Sequence, residues 1–228
     1  MAQAFDQIAG AYDQWYDTPE GRAIFNAELS CLRFLWAKCE GRWLEVGVGS
    51  GRFAATLGVA EGIDPSPNML DIAAGRGIRT HEGQAEDLPF PDGVCDGVLL
   101  VLTLCFVADP QRALRECRRI LRPEGRLLLG VIPADGPWGK EYEKKKAKGH
   151  PVYAQARFRT SSENVALIKS AGFALQNAAS TLFWGPGGPP DSEPRVKAGV
   201  VSGAGFLGLL CKKARPQPSR GSLAEDVG

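Results

Sequence analysis

Apolar residues recur along the chain with two different periods, and the alternation between them predicts its architecture. From residue 3 to 17, Phe5, Ile8, Tyr12 and the Trp15/Tyr16 pair fall at three- and four-residue steps, as on one face of a helix. Residues 21 to 39 repeat that spacing with Ile24, Leu29, Leu32, Leu35 and Trp36, stopping before Gly41, and this helix carries no evident chemistry. Thereafter short apolar runs alternate with helical segments. The runs predict strands over 43–46, 59–63, 78–82, 94–101 and 126–132, with helices over 52–57, 67–74 and 111–121 between them. The run 94–101 is the most apolar and fits a central strand buried on both faces. Ser161 or Ser162 then opens a helix to Ala171 with Gly172 as its cap. A strand follows over 173–184, then a Pro/Gly loop over 185–194, and a last strand over 200–211 weakened by Gly203, Gly205 and Gly208. Crossovers between parallel strands of this kind are right-handed.

Residues 44–53, LEVGVGSGRF, hold the first candidate chemistry. A strand carrying one acid, Glu45, breaks into Gly47, Gly49 and Gly51, where the backbone must take φ > 0 or admit a ligand closer than a Cβ allows. The N–H groups of the helix from Arg52 to Leu57 point back into that turn. A dinucleotide fingerprint needs its third glycine three residues after the second, and Arg52 stands there instead. An acid on the preceding strand would also repel a pyrophosphate but suits a cationic amino group, so the turn favours a ligand with an amino-acid end. Asp64, ending the next strand before Pro65, stands where a ribose diol is held; it could also cap the helix that opens near Pro67.

With EGQAEDLPFPDGVCDGVLLVLTLCFVADP (82–110) and RECRRILRPEGRLLLGVI (115–132) added, the sequence resembles a class I S-adenosylmethionine-dependent methyltransferase. The resemblance is to the branch that includes the ubiquinone and menaquinone C-methyltransferases. It covers about residues 5–132, with a weaker match over 156–173. It implies an α/β fold: a Rossmann-like three-layer sandwich whose seven-stranded, mostly parallel sheet has its last strand antiparallel. It also implies S-adenosylmethionine as cofactor and S-adenosylhomocysteine as product, with no metal. The backbone at Gly47 and Thr103 would hold the amino-acid end, Glu45 would tune that region, and Asp64 would hold the ribose. The segment 83–89 would lie at the adenine, with the Ala85 N–H donating to a ring nitrogen. Many relatives have aspartate where Gln84 stands here, so the neighbouring acceptor is Gln84 or Glu86. Met69 would pack on adenine or simply in the core. Residues 1–40 would form a helical lid over the methionine end, with Tyr12 its best contact.

Composition narrows the rest. The 228 residues suffice for one well-buried domain, expected over 1–211, and the polar, proline-bearing stretch 212–228 reads as a disordered tail. A net charge of +1 gives no field for nucleic acid or membrane, and no run reaches a transmembrane length. The first ten residues lack the regions of a signal peptide, so a cytoplasmic location follows. Six cysteines without a CxxC pair read as small buried hydrophobes rather than zinc ligands. Cys105, beside the expected methyl position, invites a covalent relay, but no base stands near it in sequence.

The insertion 133–155 brings Trp138, Tyr142, Tyr153 and His150 to the ligand-binding edge and is the expected acceptor lid, its lysine run a solvated face. His150 and Tyr153 join Tyr12 as candidate catalytic residues. The expected protein is a monomer or homodimer acting on a small-molecule acceptor. The alternatives are a non-catalytic cofactor sensor on the same fold and, contradicted by Arg52, a nucleotide-cofactor oxidoreductase.

Overall fold

The computed structural model describes residues 2–36 and 41–214. Its strands form one sheet of β1 (Trp43–Val46), β2 (Glu61–Asp64), β3 (Arg79–Glu82), β4 (Cys95–Val101), β5 (Leu121–Val131), β6 (Phe173–Thr181), β7 (Lys197–Ala198) and β8 (Phe206–Lys213). Their order is β3-β2-β1-β4-β5-β8-β6-β7. β1 to β5 pair parallel, and β8 enters antiparallel between β5 and β6. The helices are α1 (Ala2–Trp15), α2 (Pro19–Leu35), α3 (Arg52–Leu57), α4 (Pro67–Gly75), α5 (Pro110–Ile120), α6 (Pro137–Ala147) and α7 (Ser161–Ser170).

Both faces of the sheet are covered, which is why its strands read as apolar runs rather than alternations. Along β4, Val98 and Leu100 turn to a core shared with Ala113, Leu114 and Cys117 of α5 and Ile168 of α7. Leu99 and Val101 turn the other way, to Leu32 and Leu35 of α2, Phe53 of α3 and Trp138 of α6. The stagger is the two-residue period of a strand, read out by helices on either side.

The expected α/β Rossmann-like sheet is present, with differences at its ends. An eighth strand, the two-residue β7, extends the edge beyond the seven expected. The last strand starts at Phe206, not residue 200, because Gly203 has φ +80 and breaks the extended run. Gly208 is inside it: a Cβ there would lie 2.8 Å from Leu35 Cδ1 and 3.2 Å from Cys31 Sγ, so α2 presses directly on the strand. Lys212 and Lys213 finish β8 rather than beginning a tail; residues 215–228 of that expected tail lie outside the described residues, as does Cys39. α7 is capped by Thr160, one residue before the expected serines. Thr160 and Glu163 form a reciprocal capping box. Residues 122–125, expected as a turn, are carried within β5, where the register to β4 shifts between the Cys95–Leu121 and Gly97–Arg126 pairs. Among the described residues, no helix is long and apolar enough to cross a membrane.

Gly97 tests this packing. A Cβ on it would stand 2.1 Å from the Trp43 ring, which itself stacks on Trp36 at 4.1 Å. Gly97→Ala should cost about 1–3 kcal/mol, as forced overpacking does. Urea unfolding measures it, and an unchanged midpoint would mean that Trp43 can give way.

Candidate functional site

The strand order reverses between β1 and β4, and open α/β sheets bind ligands outside the strand ends at that switch. A cavity of about 390 Å³ lies there. Its floor is the turn after β1. Gly47, Gly49 and Gly51 all have positive φ, at +72, +51 and +79. Their neighbours give them separate duties. A Cβ on Gly47 would sit 2.3 Å from the Thr103 side chain. The Thr103 hydroxyl in turn lies 2.9 Å from Val101 O and 3.2 Å from Gly47 O, into which it donates. A Cβ on Gly51 would meet Ala73 of α4 at 3.0 Å, so this glycine serves helix packing and does not line the cavity. Only at Gly49 would a Cβ meet no atom within 4 Å, because the open space before it is the cavity.

Asp64 ends β2 at the cavity wall. Its Oδ2 accepts from Gly49 N at 2.9 Å and its Oδ1 from Ser66 N at 3.0 Å. Burial raises its pKa, partly offset by those two amides. Met69, 1% exposed, lines the same wall. Gln84, Ala85 and Glu86 complete it. Their loop is clamped from outside by Arg119, which donates to Leu88 O and Phe90 O and pairs with Glu116 and Asp92. Glu86 Oε1 accepts from the amides of Ala108 and Asp109 at 2.8 and 3.2 Å, committing that carboxylate to the loop after β4. No hydrogen bond occupies the Gln84 side chain or the Ala85 N–H among the described residues.

Glu45 is placed elsewhere. It is 2% exposed on the face of β1 toward α3 and does not line the cavity. Burial drives its pKa well up against the relief from the Ala54 amide, with the Asp64 charge raising it further, and Oε2 has no partner.

α1 roofs the cavity with Phe5 and Tyr12. Phe5 meets Phe106 edge-on at 4.9 Å and Tyr12 at 5.6 Å. Two polar latches hold the helix down. Asp6 accepts from Ser66 Oγ and the Asn68 amide at the start of α4. Asp13 pairs with Arg52 and Arg76, each at 2.7 Å, and Arg52 also reaches Asp17. So the residue standing in place of a third fingerprint glycine is a lid anchor. Partial burial would raise the Asp13 pKa, but hydrogen bonds from Arg52, Ser50 and Arg76 prevail and bring it down to about 2.

Of the catalytic candidates, Tyr12 lines the cavity. Tyr153 does not line it; its ring packs at a tilt on Tyr142, 4.6 Å between centres. His150 is exposed, its Nδ1 accepting from Val152 N at 3.3 Å. Cys105 has its thiol pushed up to about 12 by burial, with no base beside it. Phe5 and Gln155 also line the cavity, with Leu102 and Phe106 from the C-terminal end of β4, where open α/β sheets bind ligands. Phe5 was legible through its helical spacing with Tyr12; Gln155 gives no signal. Leu102, with φ +56, marks strained backbone just where β4 meets the site.

A methyltransferase-domain family model matches residues 44–129. The fold matches a crystal structure from Thermotoga maritima with a TM-score of 0.85 and 38% identity, covering 92% of this chain and 98% of that one. That protein is described as a SAM-dependent methyltransferase and possible histamine N-methyltransferase. The chain belongs to the class I S-adenosylmethionine-dependent methyltransferases. An uncharacterized protein of Mycobacterium tuberculosis is 40% identical over 217 residues, 95% of this chain and 76% of the relative. A demethylmenaquinone methyltransferase of Tropheryma whipplei is 35% identical over 137 residues, 57% of each chain. The enzyme is thus a SAM-dependent methyltransferase, and membership in the family implies S-adenosylmethionine as cofactor. The donor set fits that group: a doubly anchored acid, a free backbone N–H facing a side-chain amide, and a glycine with open space before it.

The lid latch predicts a pH dependence. The Asp13 pKa is depressed on folding, so the stability it contributes is present above its ordinary value of 3.8 and is lost as pH falls toward about 2. Thermal unfolding from about pH 5 down to pH 2 should show the wild type losing stability more steeply than Asp13→Asn across that window. Parallel curves would remove Asp13 from the latch.

Proposed function

We propose that the methyltransferase acts on a small-molecule acceptor by in-line displacement. Bound S-adenosylmethionine supplies an electrophilic methyl group on its sulfonium and leaves as S-adenosylhomocysteine. The observation that carries this reading is the cavity itself, lined by the polar Asp64, Gln84 and Thr103 and roofed by Phe5 and Tyr12, with Leu102 and Phe106 beside them. Such a roof excludes water and aligns reactants, and a displacement on sulfonium gains most of its rate from those two effects.

The chain's own groups divide the work. Asp64, its outer lone pairs bound to two amides, keeps acceptor capacity toward the cavity for a ribose diol. Ala85 N–H would donate to an adenine ring nitrogen. With Glu86 engaged by the amides of residues 108 and 109, Gln84 is the neighbouring acceptor for the exocyclic amine. Met69 packs against the ring. Gly49 and Thr103 border the amino-acid end, and Glu45 acts on it only indirectly, by tying β1 to the first turn of α3. Residues 133–155 cover the acceptor side, with Gln155 reaching the cavity. A nitrogen acceptor, as in the description of the Thermotoga protein, and a carbon acceptor, as in the quinone-pathway relative, are both compatible with this displacement. The kinship with the ubiquinone and menaquinone branch is proposed for the matched 57% of the chain alone.

Parallel calorimetric titrations with S-adenosylhomocysteine and NAD test the cofactor: binding of the first alone is expected, and binding of NAD alone would overturn the reading. Asp64→Ala should weaken S-adenosylhomocysteine about tenfold to a hundredfold, the loss of charge-assisted hydrogen bonds. Gln84→Ala should weaken it by less, about tenfold, with Glu86→Ala altering thermal stability more than affinity. A reversal of those last two would make Glu86 the adenine contact.

A further inference from the structure

Under the lid is a carboxyl group that the scheme above leaves unused. Glu28 of α2 is 1% exposed, and its Oε2 has no hydrogen-bond partner. No described Lys, Arg or His forms an ion pair with it. An isolated buried carboxylate costs several kcal/mol, so such groups are normally paired or replaced. The groups near enough to feel its charge are phenols and a thiol: Tyr12 of α1, Tyr16 of the turn after it, Tyr142 of α6, Tyr153 of the loop after α6, and Cys31 of its own helix. The Tyr12 and Tyr16 hydroxyls are 3.1 Å apart, and their rings meet edge-on at 5.5 Å. Tyr142 meets Tyr153 at a tilt, 4.6 Å between ring centres, and stacks on Phe158 at 5.7 Å. This cluster is continuous with the cofactor cavity, because Tyr12 belongs to both and Gln155, two residues past Tyr153, lines the cavity.

An acid without its own cation, with four tyrosines near it, has the chemistry that receives an ammonium group: the carboxylate offers charge-assisted hydrogen bonds and the rings offer cation–π contacts. We infer that the methyl acceptor is a cationic amine, held by the Glu28 carboxylate inside the cage of Tyr12, Tyr16, Tyr142 and Tyr153. The inference rests on the methyltransferase reading of the adjoining cavity. A hydroxyl or carbon acceptor would leave the acid as unpaired as it is now.

The same carboxyl suits the proton balance. Burial raises it to about 8, so it is mostly neutral near pH 7 until a cation arrives. An ammonium seated beside it favours the ionised form, and binding releases one proton. In the transfer, the ammonium passes a proton to Glu28 and its freed lone pair forms the new N–C bond. The C–S bond breaks with its electron pair leaving on sulfur, and the proton then goes to solvent. Because α1 and the turn after it contribute two of the four tyrosines, the amine enters when the Asp6 and Asp13 latches release.

The test is titration of the S-adenosylhomocysteine-loaded protein with a panel of primary arylalkyl and alkyl amines. Each is paired with its uncharged alcohol isostere, beginning with 2-phenylethylamine and 2-phenylethanol, in two buffers of different ionisation enthalpy. At least one amine should bind about tenfold or more tighter than its alcohol, with one proton released and none for the alcohol. In Glu28→Gln that preference should vanish while S-adenosylhomocysteine binding is unchanged and the melting temperature is equal or higher, since removing an unpaired buried acid relieves the fold. Wild-type protein that binds S-adenosylhomocysteine but prefers no amine overturns the inference. So does a preference that survives in Glu28→Gln, or amine binding without proton release, which needs no variant to fold. Failure to bind S-adenosylhomocysteine at all would instead overturn the cofactor reading beneath it.

Discussion

Everything at the ligand-binding edge depends on how three strands are tied at the turn after β1. Thr103, from the end of β4, fills the volume that a Cβ on Gly47 would need and donates to the carbonyl of that glycine. Asp64, from the end of β2, accepts the Gly49 N–H, and Ile63 O accepts from both Gly47 and Val48. The turn is therefore fixed by its neighbours on both sides, and the open space left in front of Gly49 is what the fold withholds from its own side chains. Positive φ at three alternate residues is the backbone cost of that arrangement, and only glycine bears it cheaply.

The lid answers to the same turn. Arg52, first residue of α3, reaches back over the glycine turn to Asp13 and Asp17, while Arg76 joins Asp13 to the Ser50 carbonyl. α1 is thus held by charge-assisted contacts at the loop that floors the cavity. Asp13, Arg52 and Arg76 are largely shielded from solvent, so these pairs hold the roof helix more firmly than exposed pairs would. The aromatic contacts of Phe5 with Phe106 and Tyr12 complete the closure from the apolar side.

Much of this was legible in the sequence where short-range chemistry is decisive. The glycine turn and the strand-end Asp64 follow from residue types that few other conformations demand, and the order of strands and helices follows from period. Three things were not legible. The separate duties of Gly47, Gly49 and Gly51 depend on what lies across the turn, namely Thr103, open space and Ala73, all distant in sequence. Glu45 and Glu86 have the right type at the right spacing, but their partners, Ala54 on one side and residues 108–109 on the other, turn them away from or beside the ligand. His150 sits in the right segment, yet its ring ends at the surface.

Glu28 is the sharpest case. In sequence it is an acid four residues after Ile24 and four before Leu32, on the apolar side of an amphipathic helix, with no motif around it. Its meaning comes from tyrosines at 12, 16, 142 and 153, which α1, the turn after it and the segment after β5 bring near it. Comparison with Glu45 shows what sets it apart. Both are buried acids with one unpartnered oxygen, but Glu45 accepts the Ala54 amide inside the joint between β1 and α3, where it supports the turn. Among the described residues no amide hydrogen bond or cation partners Glu28, and burial governs its charge. An apolar residue of similar size would pack α2 at lower cost, so the free energy spent on keeping the acid is recovered only when something positively charged is placed beside it.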